Sequence, residues 1–326
     1  MTRPAEPTSD RGTDSPALIW GPLLTVYVIW GTTYLAIRVV NETMPPLLSA
    51  GVRFVIAGAA LYLWAIRRGD RQGDHPTMRQ WRSALIVGAL LLVGGNGGVV
   101  WAERTVPSGV VALIIALVPL WMALFDRITL RRPLGGRTVV GLVLGFAGTA
   151  LLVGQGVDAG SFDLRGAMFA FGASIAWATG SLYSRNAPLP KRPFVGNGMQ
   201  QLLGGALLLL VGTLVGELGS IDIDEFSRAS LLALGYLIVF GSLIAFTAYL
   251  WLLRSARTTL VATYAYVTPV VAVFLGWLIL DEPVGLRTIV AAAVIVIAVA
   301  LIVSSGGTAR ESEPPAPIVE TDEAVA

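Results

Sequence analysis

The sequence predicts an all-α polytopic membrane protein of ten transmembrane helices, arranged as two five-helix repeats of opposite orientation. Three observations carry that expectation. The 326-residue chain is 55% hydrophobic and only 13% charged, whereas a soluble domain carries about 25% charged residues. Its apolar residues fall into runs of roughly 17–24, the length needed to cross about 30 Å of hydrocarbon. A segment of the first half also recurs in the second. IIALVPLWMALFDRITLRRPLGGRT (114–138) and YAYVTPVVAVFLGWLILDEPVGLRT (264–288) share a proline, a later Pro-x-Gly-x-Arg-Thr and the apolar stretch between them.

The elements follow in order. Residues 1–16 form a polar tail of mixed charge, expected to be disordered and cytoplasmic. The first span, 17–38, is too long for a signal-peptide core and is read as a retained helix that ends near Arg38. The second, 46–66, carries Arg53 about seven residues in. The third, 83–103, contains Gly94–Gly98 (GGNGG) and closes on Glu103 and Arg104, before a tight turn at Val106-Pro107-Ser108-Gly109. The fourth, 108–126, holds Pro119. The fifth, 136–154, has the small-residue spacing GLVLGFAG (141–148), which permits close helix approach. Spans six to eight lie near 164–184, 194–216 and 230–253. The ninth, 258–280, has no charge from Leu260 to Leu280, and the tenth is 285–304. The tail 305–326 is rich in Pro, Glu and Ala and is expected to be disordered. The two repeats are bounded at 17–154 and 164–304.

Charge sets the direction. With the N-terminus in the cytoplasm, 17 of the 23 basic residues fall on inner loops or tails, among them Arg67, Arg68, Arg79, Arg127, Lys191 and Arg257. The outer loops are acidic instead, with Glu42, Asp158, Asp163, Asp222, Asp224 and Glu225. This is the positive-inside pattern, and an even number of spans returns the C-terminus to the same side.

At an offset of 150 residues, positions 101–153 match 251–303 without a gap, including Trp101/Trp251, Arg104/Arg254 and Pro119/Pro269. At an offset of 147, Trp30 pairs with Trp177, Arg38 with Arg185, and Gly58 with Gly205. Each repeat holds five spans. Five is odd, so the second copy enters the membrane from the opposite side, and two such copies enclose a site near the midplane. Proline removes a helix hydrogen bond, and in a membrane the freed carbonyl needs a partner or a water-lined cavity. Pro119 and Pro269 are therefore expected either to mark a hinge beside a cavity or to be packing kinks.

Several function classes are excluded. There is no cysteine, so thiol catalysis, disulfides and Cys metal sites are out. The single histidine, His75, stands in an arginine-rich loop with no second ligand nearby. There is no nucleophile elbow, HExxH or Walker loop, so neither an enzyme nor an ATP-driven pump is expected, and no metal or cofactor. The net charge of +2 gives no case for nucleic acid, because the arginines are distributed by topology.

Ionisable groups inside spans are functional candidates. Arg53 is expected to be buried or cavity-lining, with Glu103 or a substrate carboxylate as partner; its repeat mate is Gln200. Arg38, Glu103 and Arg104 have a second reading, in which they reach the outer headgroups. Asn96 is polar at mid-depth in the third span. Tyr34, Trp121, Trp177, Tyr249, Tyr264 and Tyr266 supply aromatic surface suited to an amphipathic solute.

WGTTYLAIR (30–38), MPPLLSAGVRFVIAG (44–58), VVWAERTVPSGVVALIIALVPLW (99–121), ALGYLIVFGSLIAFTAYLWLLR (233–254) and ATYAYVTPVVAVFLGWLILDEP (262–283) together resemble the EamA-type permeases of the drug/metabolite transporter superfamily, and most closely its YedA-like bacterial exporters. The resemblance covers roughly residues 17–304. It implies ten helices, both termini in the cytoplasm, an inner-membrane location and efflux of amino acids, their derivatives or drugs. It implies a cavity lined by spans one, three, four, six, eight and nine, which here places Tyr34, Asn96, Trp101, Trp121, Trp177, Tyr249, Tyr264 and Tyr266 on the substrate. The first half departs from the family in RRP (131–133), where many relatives carry an acid before the equivalent position; the second half keeps Asp281-Glu282-Pro283. Proton coupling through Glu103, exchange and facilitation all fit this reading. The alternatives are an importer of the same fold, or a membrane scaffold or sensor subunit that does not transport. Oligomeric state is left open.

Overall fold

The computed structural model describes residues 16–69, 75–106, 111, 114–130, 134–153, 163–280 and 285–304. The expected tails, the turn at 107–109, the departure at 131–133 and the acidic Asp281–Pro283 lie outside them. The described residues are helical throughout, apart from short connections. The helices are α1 (Pro16–Asn41), α2 (Pro46–Arg67), α3 (Met78–Ala102), α4 (Val118–Leu130), α5 (Gly136–Val153), α6 (Leu164–Asn186), α7 (Pro193–Leu214), α8 (Arg228–Ser255), α9 (Thr258–Ala262), α10 (Tyr264–Leu280) and α11 (Leu286–Ser304). Among the described residues, α1, α2, α3, α7, α8 and α11 are long and apolar enough to cross a membrane. Shorter apolar helices cover Gly136–Leu151 and Thr258–Val271. The outward faces are apolar, with Leu35, Val143, Leu232, Ile289 and Val296 all exposed, which suits lipid chains.

Local chemistry starts the helices. Thr77 and Gln80 close a reciprocal capping box at α3, with the Thr77 N–H donating to Gln80 Oε1 at 2.8 Å. Asp163 accepts from the Arg165 and Gly166 N–H groups at α6. The Thr105 hydroxyl, more than these N–H groups, holds its carboxyl below the usual carboxylate range. At α8, Ser227 accepts from the Ser230 N–H at 3.0 Å. Pro45 gives α2 no side-chain cap. Its free N–H groups are met from far along the chain. Glu217, in the short turn after α7, accepts from Leu47 and Leu48 at 3.0 and 2.9 Å. A carboxylate is favourable at this positive helix end.

Packing follows the internal repeat. The most extensive interface is α2 against α7, and α5 packs along α11. At α2–α7, a Cβ added to Gly58 would stand 2.4 Å from the Leu202 nitrogen, and one added to Gly205 would stand 2.7 Å from the Val55 nitrogen. Gly198 meets Tyr62 at 2.7 Å, and Gly51 meets Leu209 at 2.8 Å. Each contact becomes its partner under the 147-residue offset. The two helices therefore cross antiparallel about a local two-fold axis, with backbones touching. At α5–α11, Gly141 faces the Ala298 carbonyl and Gly148 faces the Ala291 carbonyl, which are exchanged by the 150-residue offset. Other contacts exchange too: α1 packs on α10 as α6 packs on α4, and α1 on α8 as α6 on α3.

Two features differ from the sequence reading. Pro119 is the second residue of α4, after a turn at Ala116–Leu117. In the first turn of a helix a missing N–H costs nothing, so this proline is no mid-helix kink. Pro269 does lie inside its helix, α10, and a break at Thr263 separates that helix from α9. The second feature is a π-helical stretch in each half, Ala89–Gly97 within α3 and Leu237–Ala245 within α8. Such insertions collect at functional sites.

Replacing Gly58 with alanine forces the α2–α7 backbones apart, so we expect a loss of about 1–3 kcal/mol. Gly172→Ala, with nothing within 4 Å of the new carbon, is the neutral control. Thermal unfolding of the two purified variants in detergent, compared with the parent chain, measures the difference.

Candidate functional site

The helices converge on a central cleft of about 670 Å³, including open space at its mouth. Helix α1 contributes Trp30, Thr33, Tyr34 and Ile37; α2 contributes Arg53 and Phe54; α3 contributes Gly95, Asn96 and Val99. Ile115 adds to the wall, with Ala173 and Trp177 from α6, Gly241 and Phe246 from α8, and Tyr264 and Thr268 from α10. Both π stretches reach it, through Gly95 and Asn96 on one side and Gly241 on the other.

Aromatic packing shapes the cleft. Trp30 and its repeat mate Trp177 meet edge to face, with centroids 5.5 Å apart. The cleft therefore straddles the axis that relates the halves. Trp30 also meets Tyr264 edge to face at 4.9 Å, and Tyr249 at 4.9 Å. Such pairs contribute about 0.5–1.5 kcal/mol each beyond burial. Gly95 makes room for Trp177, since a Cβ there would lie 2.5 Å from the indole ring. The Trp177 Nε1–H donates to the Tyr249 hydroxyl at 2.9 Å, and that hydroxyl is 2.6 Å from Ser181 Oγ. Tyr249 is fully buried behind the wall, where it fixes the orientation of Trp177.

Arg53 is the only charged side chain among the described residues that line the cleft. It is 5% exposed. Its Nε–H donates to Ser242 Oγ at 2.8 Å, and its guanidinium lies 4.3 Å over the Phe54 ring. No carboxylate among the described residues accepts from it. Glu103, at the C-terminal end of α3, acts electrostatically on Tyr34 and Arg38. Both of its carboxylate oxygens are buried and lack a hydrogen-bond partner among the described residues. The expected Arg53–Glu103 pair is not formed.

Of the residues expected at the substrate, Tyr34, Arg53, Asn96, Trp177 and Tyr264 line the cleft. Five others do not. Trp101 lies against Phe169 beneath the guanidinium of Arg104. Trp121 donates to Ser174 Oγ at 3.0 Å and stacks on Phe125. Tyr249 stands behind the wall. Tyr266 packs on Gly145 in α5 and donates to the Leu142 carbonyl at 3.2 Å. Gln200 opens on a separate pocket of about 420 Å³ with Ser184, Gly196, Asn197 and Arg254. Sequence reasoning missed Trp30, Phe54 and Phe246 as lining residues. The Trp30/Trp177 match was the available signal for the first of them.

The pocket beside Gln200 has a counterpart. A smaller space of about 220 Å³ is lined by Ile37, Pro46, Ser49, Ala50 and Arg53. These are the repeat mates of Ser184, Pro193, Gly196, Asn197 and Gln200 around the other pocket.

The model of the EamA-like transporter family matches residues 16–154 and again 164–304. This chain belongs to the EamA-like transporter family. The EamA-like assignment makes it a two-repeat membrane protein of a transporter family. The chain is 38% identical over 290 residues to a protein of Escherichia coli strain K12 named "Uncharacterized inner membrane transporter YedA", covering 87% of this chain and 90% of that one. It is 26% identical over 281 residues to the "Uncharacterized transporter YvbV" of Bacillus subtilis, covering 86% and 90%. A solved structure shares its fold with a TM-score of 0.71 at 23% identity, over 88% of this chain and 96% of that one.

Tyr249→Phe takes the acceptor from the Trp177 N–H and one of two contacts from the Ser181 hydroxyl, which still donates to the Trp177 carbonyl. We expect a stability loss of about 1–3 kcal/mol, read by thermal unfolding, and weaker retention of any solute that Trp177 touches, read by equilibrium binding.

Proposed function

We propose that this EamA-like transporter is a secondary transporter of the bacterial inner membrane that exports small amphipathic metabolites, amino acids or their derivatives, or drugs, by alternating access. The observation that carries the reading is the pair of repeat-related pockets, one beside Arg53 and one beside Gln200, flanking a cleft on the axis between the halves. In this reading, residues 17–154 and 164–304 are five-span units inserted in opposite directions, ten spans in all, with both termini in the cytoplasm. The antiparallel crossings of α2 with α7 and of α5 with α11 support the inversion, and the arginine distribution supports the orientation. When one pocket joins the cleft, the solute faces one side; when the equivalent pocket joins it, the solute faces the other. Pro269 and the break at Thr263 supply flexibility on the α10 side, and the turn before Pro119 supplies it on the α4 side. Glu103 is the coupling group, a buried carboxylate with no hydrogen-bond partner among the described residues, close enough to the cleft-lining Tyr34 to act on it electrostatically.

The chain has no cysteine, so single-cysteine variants report accessibility without background. Ser49→Cys is expected to react with an impermeant thiol reagent from outside, and Gly196→Cys from inside. A Cβ at Gly196 makes only ordinary contacts. Saturating solute is expected to move the two reactivities in opposite directions; a parallel change, or labelling of both from one side, refutes the mechanism. In liposomes, Glu103→Gln is expected to abolish acceleration of uptake by a pH gradient while exchange between solute-loaded compartments continues. An unchanged response to the gradient removes Glu103 from coupling. A screen of resistance and extracellular metabolites on expression identifies the exported compounds.

A further inference from the structure

Among the described residues the cleft carries one charge, and none of them neutralises it. Arg53 stays protonated because no protein environment deprotonates a guanidinium readily. Burial strips its water, which is costly without a counter-charge. Ser242 engages Nε, and among the described residues no carboxylate meets the two terminal nitrogens, so the fork can take a bidentate acceptor. Gly241 leaves space beside them, with its would-be Cβ 3.8 Å from Nη2. The same cleft offers Asn96, whose buried Oδ1 has no hydrogen-bond partner among the described residues. Trp30, Trp177 and Tyr264 add aromatic walls to the same cleft.

Building on the transport reading above, we infer that the solute is a monoanion. Its carboxylate sits on the fork of Arg53, its apolar or aromatic body lies against the tryptophans, and a hydroxyl or N–H on that body donates to Asn96. The site therefore rejects cationic amphipaths, which would bring a second positive charge into a poorly solvated cleft. The repeat mate of Arg53 is Gln200, equally buried at 3% exposure. The charge therefore breaks the symmetry of an otherwise two-fold scaffold and marks one half as the anion-holding side.

Calorimetric titration of the purified full-length protein in detergent tests this with 4-hydroxyphenylacetate, tyrosol and tyramine. These share one phenol body and differ in being anionic, neutral and cationic. We expect the anion to bind at least roughly tenfold more tightly than tyrosol, and tyramine to bind most weakly. In R53Q, which copies the glutamine of the equivalent position, the anion should fall to the level of tyrosol, with tyrosol unchanged. Ser242→Ala keeps the charge and should weaken the anion a few-fold while preserving the order. Tyramine binding as tightly as the anion, or an anion preference that survives in R53Q, overturns the inference. The parent chain's charge series decides the matter even where R53Q is lost to misfolding. In liposomes, selective binding of the anion without its passage keeps this inference and removes the transport reading. Passage of tyramine ahead of the anion keeps transport and overturns this inference.

Discussion

Close contact between the backbones of α2 and α7 is the constraint on which the rest of the structure depends. Lipid chains are as apolar as leucine, so helices in a membrane gain little from burying apolar surface against one another. They gain from intimate packing instead. Gly51, Gly58, Gly198 and Gly205 leave four positions of the crossing without a side chain, and each faces the backbone or side chain that its repeat mate faces in reverse. Arg53 and Gln200 stand between these glycines on their respective helices. The crossing that joins the halves thus also sets where Arg53 and its neutral counterpart are held.

Around that crossing, polar groups are satisfied over long distances in sequence. Glu217 closes the start of α2 from beyond the end of α7. Gln201 on α7 donates to the Ser242 carbonyl, and Ser242 Oγ accepts from Arg53. In a medium without water, each unmet backbone or side-chain group is expensive. These bonds tie α2, α7 and α8 into one frame. Against it, among the described residues, the Asn96 oxygen and the Glu103 carboxylate lack hydrogen-bond partners and Arg53 lacks a carboxylate, and these stand out as places where a solute or a proton completes the chemistry.

The part of the site legible in the sequence was the part whose residue type is costly at mid-membrane. Arg53 and Asn96 announced themselves because a charge and an amide rarely sit there without purpose. Tyr34, Trp177 and Tyr264 followed from aromatic polarity in central positions. Trp121, Tyr249 and Tyr266 looked the same on paper, yet each is spent on a protein partner: Ser174, Trp177 with Ser181, and the Leu142 carbonyl. A helix span predicts depth in the bilayer. It leaves open the rotation of the helix about its own axis, and a turn of roughly 100° per residue moves a side chain from cleft to wall or lipid. Pro119 shows the same limit in the backbone, because its meaning depends on whether its helix starts before it or at it.

By itself, the sequence determined that this chain is a membrane protein of helices, that it contains a segment twice, and that it falls in the EamA-like transporter family. Those facts follow from composition, run length and residue identity, which need no partner in space. Only the tertiary structure decided which aromatic residues face the cleft, that Arg53 lacks an acidic partner among the described residues, and that Arg53 and Gln200 open on separate equivalent pockets. The reason is that helix rotation and crossing geometry arise from side chains and glycines on different helices meeting one another, a property of pairs far apart in the chain.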